Sequence, residues 1–238
     1  MAFHHSPRII TDGLVLSLDA ADKNSYPGSG TAWTDLSGNG NDGTLQGSPS
    51  TITYNNVDVL HLEKDSSQYV SLGSNPIAGL SDVSAEFWIR FESVQGSAAS
   101  PYYQLIIFET CMWIAQYAGH IGIDLSDGSW FDGSGGTNTG AQVDDNGSAI
   151  TTGKWYNPCF AWGDTSVDCY MNGVKQATAA TTGVSTLGSG TTPRELGRRG
   201  GSTTQFDGDY AIARLYNRKL SATEISQNFN AQRHRFGI

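Results

Sequence analysis

Long apolar runs are missing from this sequence. Its hydrophobic residues come in strand-sized bursts, far short of the ~20 needed to cross a bilayer as a helix, so neither a membrane span nor a membrane partner is expected. Positive charge is scarce: 14 Lys and Arg stand against 23 Asp and Glu, for a net charge of −9. Nucleic-acid binding draws its affinity largely from cations on phosphates, so the balance argues against a nucleic-acid partner, and equally against an anionic membrane surface. A soluble, self-repelling surface is the simpler reading. Cysteine is scarce as well, with Cys111, Cys159 and Cys169 making three in 238 residues. That odd count leaves at least one thiol unpaired, and no zinc-type spacing joins the cysteines to the five histidines. The opening MAFHHSPR has no apolar stretch of the kind a secretory signal needs, which predicts folding in a reducing cytoplasm. A phosphate-cradling loop, a Gly-x-Ser-x-Gly elbow and any suggestion of a Ser-His-Asp arrangement are absent too.

Glycine is what the chain has in quantity, 29 residues without a period, and it reads as turns between many short strands. Only 16% of residues are charged and 11% are aromatic, the reverse of a disordered chain. The length suits one all-β domain with a sizeable core. The segment at 206–225, FDGDYAIARLYNRKLSATEI, organises the rest. A turn at Asp207-Gly208 precedes an alternation that sends Ala211, Ala213 and Leu215 one way and Tyr210, Ile212, Arg214 and Tyr216 the other, which is strand periodicity. Ser221 with Glu224 three residues on is a capping box that opens a short helix, with Ile225 and Phe229 as its apolar face. A late central strand closed by a helix docked on the sheet is the expectation.

Elsewhere, Leu14, Leu16 and Leu18 mark a first strand. Residues 24–43 form a long polar loop in which Trp33 and Leu36 are expected to plug the sandwich rim. Its Asp35, Asn39, Asn41 and Asp42 carry oxygens that suit a cation, but Asn/Asp-Gly pairs form turns first, and no metal is assigned. Residues 83–92 show the clearest alternation: Val83, Ala85, Phe87, Ile89 and Phe91 on a core face, and Ser84, Glu86, Trp88, Arg90 and Glu92 on a polar one. Further strands fall at 57–62, 68–72, 104–108, 112–117, 120–125, 154–162 and 166–171. In the last hairpin a two-residue loop sets Phe160 against Cys169 and Cys159 against Tyr170. A one-residue slip would place the two cysteines opposite each other but would mix apolar and polar groups on both faces, so no Cys159–Cys169 disulfide is expected. Residues 1–12 read as an arm outside a single domain at 13–238. Either that arm is a frayed end, or its Pro7, Ile9 and Ile10 attach to a neighbouring subunit.

Five segments together carry a resemblance: 13–20 (GLVLSLDA), 25–43 (SYPGSGTAWTDLSGNGNDG), 154–156 (KWY), 170–173 (YMNG) and the organising segment. In that order they resemble laminin-G-like domains of the concanavalin A-like lectin/glucanase superfamily, across nearly the whole chain. The resemblance implies an all-β, two-sheet antiparallel sandwich of the jelly-roll type with one short C-terminal helix, its first and last strands side by side. The ending, 228–231 (NFNA) running into 235–238 (RFGI), resembles single-domain virion proteins of tailed bacteriophages. That likeness implies a non-enzymatic structural protein displayed on a particle as capsid decoration or a head or tail appendage, homo-oligomeric, with other virion proteins as partners. Such a protein is released by lysis and needs no export signal. A tail-fibre lectin that reads host carbohydrate is the alternative, and a glucanase-like hydrolase the third. The superfamily's hydrolases carry Glu-x-Asp-x-Glu on one strand face. Here the best-placed strand reads Glu86-Phe87-Trp88-Ile89-Arg90, with one carboxylate where retaining chemistry needs two; Glu86 and Arg90 are read instead as a same-face charge pair. No cofactor is called for. For glycans, which stack on exposed aromatics, the loop-borne candidates are Tyr102, Tyr103, Trp130, Phe131 and Asp132. The same aromatics would equally serve a subunit interface.

Overall fold

The computed structural model describes residues 7–94, 103–109, 111–126, 137–163, 165–181, 184–189, 191–200 and 205–238. Two antiparallel sheets face each other. The first takes β1 (Leu14–Asp19), β4 (Ser50–Tyr54), β5 (Val57–Leu62), β7 (Val83–Phe91), β12 (Trp155–Tyr156), β13 (Pro158–Gly163), β14 (Ser166–Met171), β15 (Val174–Ala180) and β17 (Gly208–Tyr216). The second takes β2 (Ala32–Trp33), β3 (Gly43–Gln46), β6 (Tyr69–Leu72), β8 (Tyr103–Glu109), β9 (Met112–Tyr117), β10 (His120–Leu125), β11 (Thr137–Val143) and β16 (Thr191–Leu196). Strand order is β15-β14-β13-β7-β17-β5-β4 in one, with β1 on β17 and β12 on β7, and β11-β10-β9-β8-β16-β6-β3-β2 in the other. The core lies between them, where Leu16, Leu18, Phe87, Ile89, Phe91 and Leu215 meet Ile106, Phe108, Ile114, Ile121 and Ile123. Trp33 is fully buried in it, whereas Leu36 is 39% exposed and does not plug the rim. The loop holds without it: Asp35 accepts from the backbone N–H of Ser17, Ser37 and Asn41 and from the Ser37 hydroxyl. These bonds satisfy backbone donors that the chain itself supplies. Among the described residues no group of three or more His, Cys, Asp or Glu side chains is placed to hold a metal.

β17 is central, as its periodicity implied, pairing with β7, β5 and β1. A bulge between Tyr210 and Ile212 changes the face assignment. Tyr210 joins Ala213 and Leu215 in the inter-sheet core, while Ala211 and Ile212 both lie in the cluster on the opposite face. The extra residue of a bulge does this by breaking the period of two. A similar shift between Leu14 and Leu16 in β1 sends Leu14 to the outer face, away from Leu16 and Leu18. In the β13–β14 hairpin Phe160 faces Cys169 and Cys159 faces Tyr170, the register that the apolar pattern required. Cys169 lies in the inter-sheet core and Cys159 in the outer cluster; both are free, as is Cys111. Burial pushes Cys111 up to about 11 and Cys169 up to about 12, so neither is a ready nucleophile.

Much of the outer face of the first sheet is covered, as the expected docked helix implied. Helix α1 (Ala222–Gln232), the 3-10 turn Arg233–Phe236 and residues 8–12 lie on it. Ser221 caps α1 with the full capping box to Glu224, and Arg218 grips the Glu224 carboxylate through Nη1 and Nη2 at 3.1 and 2.7 Å. Ile10 N–H donates to Asn228 Oδ1 at 2.8 Å, Tyr216 donates its hydroxyl to Ile10 O, and Ile9 and Ile10 pack against the Leu14, Tyr170, Leu220 and Ile225 cluster. The apolar character of Ile9 and Ile10 thus has a use within the chain itself; Pro7 is exposed. Arg218 hydrogen bonding first, with the Ser221 N–H behind it, holds the Glu224 carboxyl down at about 2, against an ordinary 4.5. The folded value is the lower one, so the cap's contribution is complete above pH ~4.5 and fades as pH falls toward 2. A carbon-detected NMR titration should place the Glu224 midpoint near the lower figure; a midpoint at 4.5 would mean that the Arg218 clamp is not formed in solution.

Candidate functional site

The best-furnished surface is the outer face of the second sheet. Register runs one continuous row across it: Asp124 on β10, Trp113 on β9, Ile107 on β8, Glu195 on β16, Ser71 on β6 and Thr44 on β3. Residues paired in register point to one face, and the apolar partners Met112, Ile114, Ile106 and Leu196 point to the core. Three half-buried aromatic rings lie on the outer face, Trp113, Tyr117 and Tyr69. Each is held. The Arg199 guanidinium sits 5.4 Å from the Trp113 centroid and that of Arg198 sits 3.4 Å from the Tyr69 centroid, both cation–π placements. Tyr117 crosses over Gly122, where a Cβ would come within 2.8 Å of the ring, and its hydroxyl lies 3.4 Å from Gln142 Oε1. Only glycine at 122 lets that ring lie flat on the strand. Glu195 fixes Arg198 through two bonds of 3.2 and 2.9 Å and also accepts from Gly200 N–H.

This arrangement is a set of rigid rings flanked by fixed hydrogen-bonding groups. Half-buried rings beside hydrogen-bonding groups suit stacking on planar or C–H-rich ligand faces, and among the described residues the carboxylates of the row stand far apart. Asp124 and Glu195 are three strand steps apart along the row, roughly 14 Å at the usual strand spacing. Paired glycosidase carboxyls stand about 5–9.5 Å apart. Glu86 is only 2% exposed and faces away from this surface. It also does not pair with Arg90. Across the strands Glu86 meets Arg214 and Arg90 meets Asp209, so the expected same-face pair is replaced by two cross-strand pairs, with Trp88 between them. Neighbouring strands, invisible to local spacing, supplied the nearer partners.

Of the residues expected to stack on sugar, Tyr102, Trp130, Phe131 and Asp132 lie outside the described residues. Tyr103 is described and is 7% exposed, its hydroxyl accepting from Ser93 Oγ at 3.1 Å. It pairs with Gln116, a fully buried residue, so its ring serves the end of the sandwich and offers no platform. Trp113, Tyr117 and Tyr69 were missed. In 112–117, MWIAQY, the two sets of alternating residues are almost equally apolar, and periodicity alone could not say which set faced out.

The family model of the Laminin_G_3 type, described as concanavalin A-like lectin/glucanases superfamily, matches residues 64–226. No curated protein sequence matches significantly. Among solved structures, domain 4 of AbnA, a GH43 extracellular arabinanase from Geobacillus stearothermophilus in complex with arabinotriose, superposes with a TM-score of 0.65 at 16% identity, covering 90% of this chain and 97% of that one. The binding domain of Paraclostridial Mosquitocidal Protein 1 gives 0.70 at 17% identity over 93% of this chain, and that of Botulinum Neurotoxin DC in complex with SialylT gives 0.64 at 16% over 93%. This chain spans 52% of each toxin chain. At such identities the likeness is one of fold. The match over 64–226, the two facing sheets and the adjacent first and last strands lead to one conclusion: this chain belongs to the concanavalin A-like lectin/glucanases superfamily, as a laminin-G-like jelly-roll domain.

Proposed function

We propose that this chain is a non-catalytic adhesion domain that binds glycans on the outer face of the second sheet. The observation that carries the reading is the held aromatic set, Tyr69, Trp113 and Tyr117, each ring fixed by a guanidinium or a glycine. Rings fixed before a sugar arrives lose little freedom on binding. The structural relatives are named as binding domains, one solved with arabinotriose and one with SialylT, which fits a binding role. The finer setting, display on a phage particle among other virion proteins, rests on the sequence likeness of the ending. The structure gives that ending a folding role as well, since Asn228, Phe229 and Phe236 hold the C-terminal segment on the sheet.

A glycan array followed by titration of the best ligand tests the reading. Trp113→Ala should weaken that ligand about tenfold or more, the loss of one stacking contact, with retention of the fold checked by circular dichroism because the ring is half-buried. Incubation with the same glycans should release no reducing ends. Binding unaffected by Trp113→Ala, or sugar release by the purified chain, would overturn it.

A further inference from the structure

A cleft of about 570 Å³ lies along the side of the sandwich, where β11, an edge strand of the second sheet, runs beside β15, an edge strand of the first. That volume is within the range of ligand pockets, ~300–1,000 Å³. β10 gives the cleft His120, β11 gives Gln142, the turn that follows gives Asp144 and Asn146, and β15 gives Val174 and Gln176. Gln176 clasps the two walls together: its Oε1 accepts from the Asp144 backbone N–H at 2.9 Å and its Nε2 donates to Asp144 O at 3.0 Å. A side-chain amide thus stands where the peptide of a neighbouring strand would. Asp144 Oδ1 accepts from Gly147 N–H at 2.7 Å and holds the turn. The walls are therefore set before a ligand arrives. Gln142 receives only a long bond, 3.4 Å from the Tyr117 hydroxyl to its Oε1, which leaves its Nε2 to donate, and Asn146 is exposed. The cleft also continues the aromatic platform. Gln142 pairs in register with Gly122 and His120 with Tyr117, and the Tyr117 ring crosses Gly122 to bring its hydroxyl to Gln142. Trp113 lies four residues before Tyr117 on β9, roughly 13 Å back at the usual strand rise.

We propose that this cleft is the specificity subsite of the platform: it holds a sugar unit of a neutral glycan by its hydroxyls while adjoining units stack on Tyr117 and Trp113. The inference rests on the platform reading and adds to it the residues that choose the ligand. Three features point to that class. The Gln142 and Asn146 amides each carry donors and an acceptor, and a hydroxyl is likewise both. A wholly apolar ligand would bury those amides unpaired, which costs binding energy. Val174, 65% exposed, supplies an apolar wall for a C–H face beside them. The charges of the lining decide between neutral and acidic sugars. Lys175 is already matched by Asp168 at 2.7 Å, and Asp144 adds a carboxylate. An anionic sugar would meet that carboxylate and a lysine whose charge is taken.

NMR of the side-chain amides, assigned by single variants, reads the cleft, and the Trp113 indole N–H reads the platform. The probes are cellotetraose, laminaritetraose and mannotetraose as neutral glycans and tetragalacturonate as the acidic one. At least one neutral probe should shift the Gln142 and Asn146 amides together with the Trp113 indole, and should bind more tightly than tetragalacturonate. Asn146→Gly keeps the left-handed turn conformation, φ 52° in the wild type, and should weaken that probe about threefold, the worth of one hydrogen bond. With Gln142→Leu added the loss should reach about tenfold, circular dichroism confirming the fold, and the Trp113 indole should still shift at saturation. A neutral probe that moves the Trp113 indole but neither amide, or whose affinity survives both substitutions, would overturn the cleft and leave the platform standing. Cleft amides that respond while the Trp113 indole stays silent and Trp113→Ala changes nothing would instead sink the platform, and the continuous site with it. Tetragalacturonate binding more tightly than every neutral probe, or silence toward all the neutral probes, would also refute the proposal.

Discussion

Glu86→Ala will destabilise the fold by about 3–5 kcal/mol, the range found when one partner of a buried ion pair is removed. Glu86 and Arg214 are each 2% exposed, and Arg214 Nη1 lies 3.7 Å from Glu86 Oε1. The contact is too long for a hydrogen bond, and Arg214 Nε and Nη1 have no hydrogen-bond partner. The guanidinium charge is therefore compensated mainly by the Glu86 carboxylate. That carboxylate also accepts from Asn157 Nδ2 at 3.2 Å and from Asn228 Nδ2 at 2.9 Å. Alanine would strand a buried cation and leave two buried amide donors short of an acceptor. A typical domain has only about 5–15 kcal/mol to lose. Urea unfolding monitored by tryptophan fluorescence measures the change. The double variant Glu86→Leu with Arg214→Met should regain much of the loss, because it removes both charges together. A Glu86→Ala cost below about 1 kcal/mol would mean that water reaches the pair.

Trp88→Ala should cost a similar amount, about 3–5 kcal/mol for deleting a buried aromatic, and its effect should be local. Trp88 is fully buried and clamped between Phe229 at 5.6 Å and 5° and Phe236 at 4.2 Å and 16°. Those two rings belong to α1 and to the turn after it, so Trp88 is the point at which the C-terminal segment is pinned to the sheet. With the indole gone, α1 amides should exchange with solvent many-fold faster while β8–β10 amides keep their protection relative to global unfolding. Hydrogen exchange by mass spectrometry reads both regions at once. Uniform loss of protection would show that the segment and the sandwich unfold as one unit. Phenylalanine at 88 should recover part of the loss, since a ring still fills most of the clamp.

The sequence by itself determined several features that depend on neighbours along the chain. The capping box at Ser221 and Glu224, the hairpin register that parts Cys159 from Cys169, the turn at Asn172-Gly173 and the strand character of 83–91 and 208–216 all follow from local pattern, and all are present. The match of fold family has the same origin, because turn spacing and apolar alternation are what a jelly roll imposes on its sequence. β15, VKQATAA, escaped notice because it is an edge strand with almost every side chain in solvent; without a buried face there is no hydrophobic period to read. β11 escaped for a related reason, as TNTGAQV carries no apolar alternation.

Tertiary structure alone decided which faces are covered and which charges meet. Two bulges reversed the facing of Tyr210 and Leu14, since one added residue inverts a period of two. Glu86 found Arg214, and Arg90 found Asp209, across strands more than 100 residues distant in sequence, so no spacing rule could pair them. The polar face of β7 proved to be the seat of the C-terminal helix, buried residue by residue except at Arg90. The platform of Tyr69, Trp113 and Tyr117 draws on two strands and on guanidinium groups from a third segment. A local pattern fixes where a strand runs and how it turns. A binding surface is a set of side chains from several strands, and only their lateral order in the sheet brings that set together.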